Sequence, residues 1–87
     1  MGVSYQVILE AAARRQIKKL PQAIQETLLT RITALGTNPR PTGCKKLKGR
    51  KNEYRIRSGN YRIIYSIEDK ALIVRVVRAG HRRGAYE

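Results

Sequence analysis

EYRIRSGNYRIIYSIEDKALIVRVVRAG, residues Glu53 to Gly80, repeats with a period of two rather than the 3.6 of a helix. Tyr54 and Ile56 alternate with Arg55 and Arg57, and Ser58, Gly59 and Asn60 then supply a tight turn. In the next run Tyr61, Ile63, Tyr65 and Ile67 fall on one face, with Arg62, Ile64 and Ser66 on the other. Glu68, Asp69 and Lys70 turn the chain again, into a long apolar run from Ala71 to Gly80 interrupted by Arg75 and Arg78. Two successive hairpins of this kind predict an antiparallel meander, with Gly80 releasing the chain after the last strand.

Upstream of the meander the period changes. Val3 to Leu9 is rich in β-branched and aromatic side chains and is predicted as a strand. In EAAARRQIKKL, from Glu10, the residues Ala13, Ile17 and Leu20 share a helical face, and Pro21 stops the helix. From Pro21 a second helix carries Ile24, Leu28, Ile32 and Leu35 at helical spacing and ends at Gly36. TNPRPTG, Thr37 to Gly43, is a loop. The predicted fold is therefore α+β. An N-terminal strand and a two-helix hairpin precede a three- to four-stranded antiparallel meander, with the helices on one face of the sheet and residues 1–87 forming one domain.

Composition narrows the function classes. The 87 residues carry 19 Lys and Arg against 6 Asp and Glu, a net charge of +13. The excess is concentrated in residues 45–87, with thirteen basic and four acidic side chains, against six and two in residues 1–44. Self-repulsion on this scale calls for an anionic partner, either nucleic acid or an acidic protein. No run approaches the roughly 18 apolar residues of a membrane span, and the first residues do not read as a secretory signal. The single Cys44 cannot form an internal disulfide, so a reducing, cytoplasmic setting is expected, with no membrane partner. One histidine, one cysteine and scattered acids cannot assemble a zinc site, and no glycine-rich nucleotide loop is present, so neither metal nor cofactor is expected.

Strand alternation gathers the cations. If Tyr54, Ile56, Tyr61, Ile63 and Tyr65 face the helices, Arg55, Arg57 and Arg62 face away from them on a shared surface. KKLKGRK borders that surface with Lys45, Lys46, Lys48, Arg50 and Lys51, candidates for contacts to an RNA backbone. After Gly80, HRRGAY is expected to fold back over the same face. Such a patch suits metal-free RNA cleavage, in which the nucleophile is the RNA's own 2′-hydroxyl. The protein then supplies a proton acceptor, cations for the crowded phosphate and an acid for the leaving oxygen. His81 can exchange a proton near neutrality. Tyr5, Tyr54, Tyr61 and Tyr65 are read as core residues, and Cys44 as inert.

The segments Tyr54-Arg55-Ile56-Arg57, Gly59 to Tyr65, and Gly80-His81-Arg82-Arg83 followed by Tyr86 resemble the C-terminal half of a RelE-type toxin of the RelE/ParE toxin–antitoxin superfamily. The helix hairpin and first strand match the same family in order and length. This resemblance implies a ribosome-dependent endoribonuclease that cuts mRNA in the A site, neutralised by an acidic, helical, RelB-like antitoxin. Operator DNA would be bound only by the toxin–antitoxin complex. Arg55 and Arg57 would stand where the family places catalytic lysines, and Arg62 where it places a phosphate-stabilising arginine. Arg82 would match the C-terminal catalytic arginine, and Tyr86 the tyrosine that stacks on the substrate. Arginine stays protonated in proteins, so either His81 takes over as base or catalysis leans on charge stabilisation. The same superfamily includes gyrase-inhibiting ParE relatives, and an inactive, antitoxin-binding member is a third alternative.

Overall fold

The computed structural model describes residues 4–81. In chain order the elements are β1 (Gln6–Leu9), α1 (Ala11–Lys18), α2 (Gln22–Ala34), β2 (Lys45–Lys46), β3 (Glu53–Ser58), β4 (Tyr61–Glu68) and β5 (Ile73–His81). They form one five-stranded sheet in the order β1-β5-β4-β3-β2. The meander β3-β4-β5 is antiparallel as expected, and β2 adds two antiparallel pairs, Lys45↔Arg55 and Lys46↔Tyr54. β1 lies parallel to β5, from Gln6↔Ile73 to Leu9↔Val76, so the sheet is mixed. Its start at Gln6 is later than the expected Val3, which lies outside the described residues.

Both helices are set by the apolar positions read from the sequence. Ala13 and Ile17 of α1 are buried, as are Leu28 and Ile32 of α2 and Leu35 just beyond it. α1 packs on β5, and α2 packs against β3. Against them the sheet buries Ile56, Ile63, Tyr65, Ile67, Val74, Val76 and Ala79, with Tyr5, Tyr54 and Tyr61 half-buried around the cluster. Each such aliphatic side chain contributes roughly 1.5–3 kcal/mol of burial. Cys44 is a free thiol packed partly against the same cluster.

Two local features fix where the polar side chains point. At the β3–β4 hairpin, Gly59 has φ +60° as the first residue of a two-residue turn, a position where glycine meets no Cβ penalty. This closes the ladder at Ser58↔Tyr61 and makes Arg57↔Arg62 the next pair. The second feature is a bulge in β5. Ile64 pairs with Arg78 while its neighbour Tyr65 pairs with Val76, so Val77 is extra. The core face of β5 therefore reads Val74, Val76, Ala79, and the open face takes both Arg75 and Arg78. β5 also continues through Gly80 to His81 instead of releasing the chain at Gly80, because Arg62↔Gly80 and Tyr61↔His81 extend the ladder.

Candidate functional site

Cross-strand register sorts the open face of the sheet into rows. The row nearest the Gly59 turn is Arg57, Arg62 and Gly80. The next, two residues along each strand, is Lys45, Arg55, Ile64 and Arg78. A third holds Glu53, Ser66, Arg75 and Ile8. In the first row two guanidinium-bearing residues stand directly opposite each other, an arrangement that is unfavourable in isolation. Gly80, the partner of Arg62 on β5, contributes no side chain of its own to this row.

Charge is distributed unevenly over this face. Arg75 Nε lies 3.2 Å from Glu68 Oε2 and 3.9 Å from Glu10 Oε2, and Arg50 pairs with Glu53 at 3.5 Å. Among the described residues, Glu53 is thus matched to Arg50, and Glu10 and Glu68 to Arg75.

The three arginines expected to share one solvent-exposed patch separate. Arg57 is exposed and Arg62 half-buried, in one row. Arg55 lies on the expected face but is only 7% exposed, because it sits in the sheet interior between β2 and β4. It lines a hollow of about 400 Å³ with Lys45, Lys46, Leu47, Lys48 and Arg50. Four of the five cations expected to contact an RNA backbone therefore converge on one cavity. Lys51 does not: it lines a different hollow, with Asn52, Glu68 and Asp69.

His81 is the last residue of β5 and pairs with Tyr61. Tyr61 belongs to the helix-packed face, so His81 shares that face and not the one carrying Arg62. The two rings meet edge to face, with centroids 5.4 Å apart at 81°. His81 is thus at the end of the sheet, around the strand edge from Arg62. Arg82 and Tyr86, the remaining expected site residues, and the expected fold-back of the tail after His81, lie outside the described residues.

A second polar cluster anchors the loop that leads into β2. Arg40 reaches the Asp69 carboxylate at 2.9 Å and 3.3 Å, and the Tyr5 hydroxyl donates to the same carboxylate at 2.7 Å. The Arg40 guanidinium stacks 5.2 Å from the centroid of the Tyr54 ring. Arg40 first, then Tyr5, holds the Asp69 carboxyl below its ordinary range, and the same hydrogen bond to Asp69 raises the Tyr5 phenol. Burial is the leading cause that pushes the Tyr65 phenol up, and its hydroxyl donates to the Pro39 carbonyl at 2.7 Å. These contacts tie Pro39 and Arg40 to β4 and to the β4–β5 turn. They thereby set the position from which Lys45 and Lys46 enter the sheet.

Sequence reasoning did not single out Arg78 or Gln16 as site residues. The signal for Arg78 was present: two arginines spaced by three in an apolar strand cannot both avoid the core unless alternation slips. Gln16 accepts the Ala79 N–H at 2.9 Å, beyond the last β1 partner at Val76, and so holds β5 just past its bulge. Among the described residues no three His, Cys, Asp or Glu side chains converge as a metal site, and no helix is long and apolar enough to cross a membrane.

Comparison with known proteins agrees with this geometry. Residues 7–86 match the family of ParE toxins of type II toxin–antitoxin systems. A RelE-like toxin protein of Escherichia coli is 34% identical over 80 residues, covering 90% of this chain and 83% of that protein. The fold superposes on the RelBE toxin–antitoxin complex of Mycobacterium tuberculosis with a TM-score of 0.83 at 30% identity, over 92% of this chain and 93% of that one. The archaeal RelE–RelB complex of Pyrococcus horikoshii gives 0.81 at 28% identity, over 94% and 99%. A mixed sheet backed by two helices, the Arg57–Arg62 row and a family match spanning nearly the whole chain lead to one assignment: the chain belongs to the RelE/ParE superfamily of toxins of type II toxin–antitoxin systems.

Proposed function

We propose that this toxin is an endoribonuclease that cuts mRNA in the ribosomal A site and so arrests translation. The observation that carries this reading is the Arg57–Arg62 pair, two guanidinium-bearing residues directly opposed on the sheet face turned away from the helices. Two adjacent guanidinium groups are unfavourable alone and favourable around a phosphate, most of all one gaining charge. In the step envisaged, the 2′-oxygen of the RNA bonds to the neighbouring phosphorus while the bond from phosphorus to the 5′-oxygen breaks. The 2′-hydroxyl proton passes to a base, and the 5′-oxygen leaves as a hydroxyl after receiving a proton. The products are a 2′,3′-cyclic phosphate and a 5′-hydroxyl end. The nucleophile belongs to the substrate, so the chemistry needs no metal.

Roles follow from side-chain chemistry. Arg57 and Arg62 stabilise the phosphorane-like charge. Arg55, Lys45, Lys46, Lys48 and Arg50 hold a backbone phosphate in their hollow. Arginine cannot accept a proton here, so His81 serves as the base, approaching the 2′-hydroxyl around the end of β5. Arg82 stabilises the leaving oxygen, and Tyr86 stacks on the substrate base. The M. tuberculosis and P. horikoshii relatives are complexes with their RelB-side antitoxins, and a net charge of +13 suits an acidic antitoxin here too.

A second reading is gyrase inhibition without nuclease activity, favoured by the match of residues 7–86 to the ParE toxins in particular. One experiment separates the two. Ribosomes programmed with an mRNA carrying a single 2′-deoxynucleotide at the A-site cleavage position are compared with the all-ribose message. Cutting of the ribose message alone, leaving a cyclic phosphate, is the expected result. Equal cutting of both contradicts 2′-hydroxyl attack, and cutting of neither, with gyrase poisoned in a supercoiling assay, selects the second reading.

A further inference from the structure

Arg75 and Arg78 are three residues apart in β5, so a regular strand would aim one of them into the core. The bulge at Val77 prevents this and turns Arg78 onto the open face. Bulges are known to re-aim side chains beside active sites, and this one is braced: the N–H of Ala79 donates to Gln16 Oε1 of α1 at 2.9 Å. The two arginines occupy different cross-strand rows. Arg75 is engaged by Glu68 and Glu10. Arg78 lies one row nearer the Gly59 turn, past the end of β1, whose last pair is Leu9↔Val76.

Arg78 is also the diagonal neighbour of Arg62, because Arg62 pairs with Gly80 and Ile64 with Arg78. Diagonal neighbours are about 7–8 Å apart, within joint reach of two long guanidinium side chains. Between them lies Gly80, which adds no side chain of its own. Adjacent rows are separated by about 6.6 Å along the strands, a step commensurate with the phosphate repeat of a stretched single strand.

We propose that Arg78 is a substrate-positioning residue that holds the phosphate next to the one gripped by Arg57 and Arg62, across Gly80, with the β5 bulge aiming it there. This rests on the nuclease reading, and assigns the contact to the RNA backbone, so Arg78 acts without regard to base sequence.

The test compares binding of an unstructured single-stranded RNA oligonucleotide across a salt series. Wild-type protein, Arg78→Gln, Arg78→Lys and, as a control on the helix side, Lys18→Ala are measured. One lost phosphate contact lowers the slope of log K against log salt by about 0.7. That decrement is expected for Arg78→Gln, with the wild-type slope retained by Arg78→Lys and Lys18→Ala. Arg78→Gln keeps most of the stem beside Ile64 while removing the charge, and the salt slope counts charge contacts, so lost packing does not mimic the effect. On programmed ribosomes the same variant raises the half-saturating toxin concentration and leaves the rate at saturation unchanged. An Arg78→Gln slope equal to that of Lys18→Ala, or a fall in the saturated rate with no change in slope, overturns the assignment. If wild-type protein fails to cut programmed ribosomes, the nuclease reading falls, while the slopes still decide whether Arg78 touches RNA.

Discussion

Arg57 faces Arg62 directly across the β3–β4 ladder, one pair in from the Ser58–Tyr61 pair that closes the hairpin. Like charges in such positions oppose folding, so this pair separates stability from activity. Arg57→Ala is predicted to raise the unfolding free energy by about a few tenths of a kcal/mol, read as a higher urea midpoint, a gain that shrinks in high salt. The same substitution is predicted to lower cleavage of programmed ribosomes. Matched urea melts at two salt concentrations, alongside the cleavage assay, check both halves.

The Asp69 cluster carries a pH dependence. Asp69 ionises more readily in the folded protein, held by Arg40 and then Tyr5. Its contribution is complete above the unfolded carboxylate pKa of about 4 and disappears as pH falls through the lower folded value. Tyr5 runs the other way: its raised phenol contributes below the unfolded pKa of about 10, and that part is lost as pH rises through the folded value. Asp69→Asn should flatten both limbs of a stability–pH profile. An acid limb unchanged from wild type would show that the cluster does not anchor the loop.

Gly36 is predicted to be intolerant of any side chain. A Cβ there would meet the Tyr5 carbonyl oxygen at 3.0 Å, Val7 Cγ2 at 3.2 Å and the Thr33 carbonyl oxygen at 3.3 Å. The close approach is needed because the Tyr5 N–H donates to the Gly36 carbonyl at 2.7 Å as the chain enters β1. Gly36→Ala should cost about 1–3 kcal/mol, measured as a lower urea midpoint with the denaturant slope unchanged.

Gln16→Ala would remove the acceptor for the Ala79 N–H at the bulge. An orphaned buried amide costs about 1–3 kcal/mol. Faster hydrogen exchange at Ala79 relative to Val74 and Val76 is the local signature to look for. Unchanged exchange at Ala79 would mean that Gln16 does not secure the bulge.

The meander was legible because its alternation is long and its turn residues are explicit: Gly59-Asn60, and Glu68 to Lys70. The helices were legible from Ala13, Ile17, Leu28 and Ile32. What the sequence could not convey depends on partners distant in the chain. Nothing in Gln6–Leu9 states that it pairs in parallel with β5, more than sixty residues away. Lys45 and Lys46 have no intrinsic strand preference, and they become β2 only because β3 offers an edge. Arg55 was placed on the correct face, but its burial follows from β2 and β4 flanking it, which alternation alone does not reveal. The position of His81 depended on the ladder running through Gly80, a residue that reads locally as a strand terminator.

The central claim, that Arg62 acts on the scissile phosphate of translated mRNA, is tested most directly by primer extension. A reporter message is translated in an extract with wild-type protein or Arg62→Ala at equal concentration. The account predicts discrete, translation-dependent breaks with the wild type and a loss of about 10²–10³-fold with Arg62→Ala, the scale for removing one donor to a developing oxyanion. Intact message under wild-type toxin that still arrests growth, or equal cutting by Arg62→Ala, would contradict it.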